Sequence, residues 1–356
     1  MRMNDRMNYR IRQRAAECAI CLGALMSALA LVQRAGRAEN STTPRFVVRS
    51  PLGLLAPMPL SSALAAEVTE QEAQASGPRT FTFGTIDFPR GPDSEALGIN
   101  DLGQIVGGYG LDLVLHNFAD HGFVLKGNYF NPVNLPGAVW TPPAGINHSG
   151  QIAGTYVDSA GGEHGYELSG GIYTSIDFPG ASITGATDIN ESGEIVGFYV
   201  DAAGMVHGFS LTAGVYSTID VPGAALTEAY GINTTGQVVG FYNDSSGNDH
   251  GFLLADGTFT TIDFPNAKNT ALFGINDKNQ MTGAWGTTPF ISPATGLIYL
   301  WTHGFLNSAG TFASFDAPFG GVRVTWGFHI NNSGQIVGLY IDSKGNYFGY
   351  TAKTGS

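Results

Sequence analysis

Five histidines stand at one recurring position of this 356-residue chain: His121, His164, His207, His250 and His303. Thirteen residues after each comes Asn134, Asp177, Asp220, Asp263 or Asp316. An imidazole near a carboxylate can ligate a metal, relay a proton or tie two strands together. Zinc needs its ligands to converge at about 2 Å from one ion. Equivalent positions on successive copies of a repeat stay apart, so the spacing predicts local pairing and no zinc. A second recurring group is the Asn of G-I-N and its variants, at Asn100, Asn147, Asn190, Asn233, Asn276 and Asn331. Asn at the start of a tight turn caps it through its own side chain. The D-x-x-G turns at Asp158, Asp201 and Asp244 raise the question of calcium. That ion takes about six to eight oxygens, and one Asp per turn is too few, even with Asn248 and Asp249 beside Asp244. No metal or cofactor is expected.

The sequence holds no G-x-S-x-G elbow, no H-E-x-x-H helix and no phosphate loop. Catalysis needs a unique site, so paired carboxylates for glycoside hydrolysis would have to break the repeat. The acids that do so are Glu95, Asp112, Asp120, Glu228 and Asp277, and no catalytic residue is assigned from them.

The elements that hold these residues follow from the repeat. Blocks of the IDFP type place Asp87, Asp177, Asp220, Asp263 and Asp316, and degenerate to VNLP at Asn134. From Asn147 to Asn276 the period is 43 residues. Each unit reads as four short strands, broken by N-x-x-G and D-x-x-G turns and ended by a Pro. Gly, at 50 residues, is thereby accounted for by turns. Four strands per unit fit a propeller blade. The first copy begins at a fourth strand, from Phe81, and the last copy stops after its third, near Tyr350. Joining them closes a ring. The expected fold is an all-β, six-bladed β-propeller over residues 81–356, closed by the N-terminal strand. The alternative is a β-solenoid, which would want capping units at its ends.

The unit IDFPGA…GIN-x-x-G-x-IVG-x-Y-x-D-x-x-G-x-x-HGF resembles the bacterial extracellular repeat family named HAF, after its His-Ala-Phe-type triplet. The resemblance covers residues 81–356. It implies a secreted or surface protein with a propeller-like fold, and it implies no reaction.

Function on a symmetric scaffold should sit where the symmetry breaks. Insertions of 4, 10 and 2 residues fall near Leu111–Ala119, Gly286–Leu300 and Gly320–Trp326. All three belong to one face of the ring. All four Trp, namely Trp140, Trp285, Trp301 and Trp326, fall near them and read as departures from the repeat. Phe290, Tyr299, Arg323, His329 and His116 accompany them. Such a group could stack on a sugar ring or anchor a protein. The alternative is that these rings cover the long loops. On the first reading, Trp301→Ala and Trp326→Ala abolish binding and leave the fold intact.

Charge narrows the partners. Residues 1–80 carry ten Arg against six acids, net +4, and residues 81–356 are net −16. Phosphate backbones need clustered Lys and Arg, so nucleic-acid binding is excluded. An Arg-rich start followed by an apolar run from Cys18 to Val32 reads as a signal or export segment over residues 1–38. Residues 39–80 read as a linker or pro-segment. A secreted, extracellular or periplasmic monomer is expected, touching a membrane only through the N-terminal segment. The expected function is a binding or interaction module for a carbohydrate or protein ligand. The alternatives are a carbohydrate-active hydrolase or lyase and a purely structural surface protein.

Overall fold

Each repeat turns back on itself three times because Asn, Asp and Gly stand where the backbone must reverse. In blade three the strands run Ile183–Ile189, Ile195–Val200, Val206–Thr212 and Val215–Ile219, joined in sequence order as one antiparallel sheet. Gly193, Gly204 and Gly214 sit in its three hairpin turns at φ of 78°, 87° and 81°, where a side chain would strain the backbone. The computed structural model describes residues 49–50, 53–54, 79–86, 93–110, 121–292 and 297–354. The expected export segment and most of the expected linker lie outside these residues, as do Asp87, Asp112, His116 and Asp120.

Six such four-stranded sheets are present. The sixth is built from Val322–Ile330, Gln335–Asp342 and Tyr347–Thr354, with Phe81–Ile86 as its outer strand. The N-terminal strand pairs antiparallel from Thr354↔Phe81 to Gly349↔Ile86, as expected from the split repeat. The ring closes, and the solenoid alternative falls.

The blades are held together at the axis by the asparagines. Each Asn Oδ1 accepts the backbone N–H four residues on, at 2.9–3.0 Å. Its Nδ2 donates to the carbonyl of the equivalent Asn in the next blade, at 2.9–3.4 Å. The sixth bond runs from Asn331 to the carbonyl of Asn100, at 3.2 Å, and completes the circle. All six asparagines are buried. Capping the turn was expected; bonding to the next blade was not.

Close approach at the axis explains the Gly before this Asn. A Cβ on Gly231 would lie 2.7 Å from the Phe273 carbonyl, and one on Gly274 would lie 2.7 Å from the Phe328 carbonyl. Farther out, the block Phe of one blade stacks on the second-strand aromatic of the next: Phe178 on Tyr199 at 3.7 Å and Phe264 on Trp285 at 4.1 Å. These rings fill the wedges between blades.

Replacing Asn233 by Ala removes its buried turn acceptor and its inter-blade donor. Each net bond is worth about 1 kcal/mol, and the orphaned partners cost more. A loss of about 3 kcal/mol in urea unfolding is expected. A loss below about 1 kcal/mol would show the belt to be incidental.

Candidate functional site

The second-to-third-strand loops and the connections from one blade to the next emerge on one face. On that face each repeated His begins a third strand, and its Asp partner follows the fourth. The Nδ1 contacts are His164–Asp177 at 2.6 Å, His207–Asp220 at 3.0 Å, His250–Asp263 at 2.8 Å and His303–Asp316 at 3.0 Å. His121 meets Asn134 at 3.3 Å. The expected local pairing is present. In blades two to four the other ring nitrogen faces the turn Asp: Asp158 at 3.6 Å, Asp201 at 3.6 Å and Asp244 at 3.3 Å. Each imidazole also lies on the second-strand ring, Tyr156, Tyr199 or Tyr242, with centroids 5.0–5.3 Å apart. The tyrosine hydroxyls reach Ser175, Thr218 and Thr261 at 3.0–3.1 Å. Three near-identical stations result, each with an imidazole, two carboxylates and a tyrosine.

The carboxylates stay in contact with water. The side chains of Asp177, Asp220 and Asp263 are 55%, 46% and 37% exposed. The turn acids are held charged: the backbone N–H of Asn248 above all keeps Asp244 down at about 2. Asp158 and Asp201 are lowered by the backbone N–H groups of Gly162 and Met205. Around His250, burial opposes the charge, but Asp263 and Asp244 outweigh it and raise its proton affinity.

The expected aromatic surface is corrected. Trp301 and Trp326 are 0% and 1% exposed, and Tyr299 and Trp140 are also buried. The blade-five insertion, a ribbon of Phe290–Ile291 against Ile298–Tyr299, sends Tyr299, Leu300 and Trp301 into the core, with Phe290 packed against them and Ile291 left exposed. Trp301 meets Phe241 and Phe273 edge-on at 5.1 and 5.5 Å. The Trp326 indole N–H donates to the Trp301 carbonyl at 2.8 Å, and the Tyr299 hydroxyl meets that of Tyr347 at 2.6 Å. Phe290 stacks behind Tyr299. The physical reason is area: first strands from around the ring contribute Leu97, Tyr230, Phe273 and Phe328 to this same core, and the large rings cover them. Covering, the alternative reading, is what the aromatics do.

Trp285 is a second correction. It lies nine residues after Asn276, as Tyr156, Tyr199 and Tyr242 do after theirs, so it is a repeat position. Its indole N–H donates to Ser314 at 2.9 Å, and His303 lies 4.8 Å from its ring. Trp140 sits apart, bridged to Val157. Arg323 is exposed on the first strand of blade six. His329 is not on the insertion face; it lines a cavity at the axis with five of the six belt asparagines and bonds Asp188.

Sequence reasoning passed over Glu163. It precedes a repeated His, where blades three and five carry Val206 and Thr302, and that contrast was the available signal. Burial pushes Glu163 and Glu228 up to about 8, and Glu95 and Asp249 up to about 7. Asp249 and Glu163 push Glu228 further, while Asp93 acts on Glu95. Tyr230 donates to Glu228 at 2.8 Å and Asn243 to Asp249 at 3.0 Å. Glu163 and Glu228 hold their protons at neutral pH, and all four acids are enclosed. Glu95 and Glu228 stand on opposite blades, and neither is among the groups that shift the other.

No family model matches the chain, and no curated protein matches it. Three solved structures illustrate its neighbours. AofleA from Arthrobotrys oligospora is 12% identical with a TM-score of 0.47, over 80% of this chain and 92% of that one. The Aleuria aurantia lectin, described as a six-bladed β-propeller, is 10% identical with a TM-score of 0.45, over 74% and 95%. YCF48, solved with D1 peptide, is 10% identical with a TM-score of 0.39, over 79% and 99%. The architecture rests on the six four-stranded sheets of the described residues.

The chain is a six-bladed β-propeller.

Two outcomes follow for the propeller. Trp301→Ala is expected to cost about 3–5 kcal/mol in stability, because it empties a fully buried site; a variant as stable as the parent would contradict the packing. Glu163 and Glu228 stay protonated in the fold while the unfolded chain ionises above about pH 4.5. Stability should therefore fall as pH rises from about 4.5 to about 8. In Glu163→Gln/Glu228→Gln that fall should shrink, read by urea midpoints at both ends of the range.

Proposed function

We propose that this chain is an exported repeat protein of the HAF type, acting as a binding module for a carbohydrate on its insertion-bearing face. The observation that carries this reading is the set of three equivalent stations on blades two to four. Each offers exposed carboxylate oxygens beside a part-exposed imidazole. Charged acceptors are strong partners for sugar hydroxyls. Equivalent stations at regular angles suit a ligand that itself repeats, such as a polysaccharide, and multivalency multiplies weak single contacts. The negative body favours a neutral or cationic polymer over an acidic one. The Arg-rich start and the apolar run after it support export. The six-fold block pattern supports the family assignment. Ligands named with the neighbours, fucosides for the Aleuria aurantia lectin and a peptide for YCF48, agree with a binding role and do not carry it.

The test is a panel of neutral polysaccharides against the full chain and against Asp177→Ala/Asp220→Ala/Asp263→Ala. Exposed ion pairs contribute about 0–1 kcal/mol each, so the triple variant should fold. Its affinity for the polysaccharide that binds the parent should drop by about a hundredfold or more. Equal affinity, or no binding by any member of the panel, would overturn the reading.

A further inference from the structure

The glycine before the belt asparagine is replaced in only two blades. Blades one, two, four and five have Gly98, Gly145, Gly231 and Gly274; blade three has Asp188 and blade six has His329. In a ring of six these two blades are opposite. Their side chains meet, with His329 Nε2 3.2 Å from Asp188 Oδ2. Asp188 is 1% exposed and also accepts the backbone N–H of Ile189 at 2.8 Å and of Ile232, in blade four, at 3.0 Å. The pair thus connects blades three, four and six through the axis, beneath a cavity of about 50 Å³ that the belt surrounds.

We propose that Asp188 and His329 form an axial clasp that locks the ring across its channel and loosens when the imidazole loses its proton. The charged groups that face the imidazole are Asp188 from blade three and Asp101 from blade one; Glu191 and Asp277 line the same cavity. The facing positions of blades one, two, four and five are glycines and do not titrate. Burial alone would drive the proton off His329, yet the Asp188 charge and hydrogen bond outweigh it and hold the proton above the ordinary histidine range. The sign then follows. The clasp contributes fully below the unfolded value of about 6.5 and is lost as pH rises through the higher folded value.

The test compares urea unfolding of the full chain at several pH values between about 5 and 8.5. The reference is Asp188→Gly/His329→Gly, which gives blades three and six the residue of the other four. Relative to it, the parent should lose stability as pH rises, by up to tenfold in the unfolding constant per unit of elevation. Asp188→Asn leaves a buried imidazole without its carboxylate, so its slope should reverse and stability should rise with pH. A parent and an Asp188→Asn variant with the same slope would overturn the proposal. Should the variants fail to fold, the imidazole resonance of His329 in the parent decides. A titration midpoint above about 6.5 supports the clasp, and one at or below it overturns the clasp.

Discussion

The asparagine belt is the interaction on which the rest of the molecule depends. A blade alone is a four-stranded sheet with two apolar faces and two free edges. It becomes stable only when neighbours cover those faces, and the belt fixes where the neighbours stand. One amide group does both tasks: its oxygen closes the turn of its own blade and its nitrogen reaches the next. Local turn geometry and global ring geometry are thereby coupled.

A closed belt draws the six first strands so near the axis that most positions there accept only glycine. That constraint decides what the axis can offer. On the belt face it is spanned by Asp188 and His329. Toward the other face it is packed with Trp301, Trp326 and Tyr299. A ligand site through the centre of the ring is therefore closed at both ends. On the insertion-bearing face the His–Asp–Tyr stations keep their carboxylates in contact with water.

Much of this was legible in the sequence. The constant spacing from His to Asp forced a common geometry, and pairing followed from it. The split first and last repeats announced ring closure, because a spare fourth strand at Phe81–Ile86 had one place to go. The asparagine was readable as a turn cap, since that is a local property. Its second bond was not, because the spacing between copies does not say how near two equivalent turns lie. The tryptophans misled for a related reason: an insertion in the pattern marks where symmetry breaks, and whether its rings turn outward or inward depends on the room left beneath it. Trp285 was readable as a repeat position from its distance to Asn276, and was masked by the rarity of its residue type. Glu163 and His329 stood in the sequence as departures from consensus, but burial and partners across the ring arise only from the closed structure.

If the belt makes the six blades one cooperative unit, their turns must open together. Native-state hydrogen exchange at the amides that the belt oxygens accept, Gln104, Gln151, Glu194, Gln237, Gln280 and Gln335, measures this directly. The account predicts one common opening free energy for all six, equal to that of global unfolding. A graded series in which the blades open one after another, as nearest-neighbour repeats do, would contradict it.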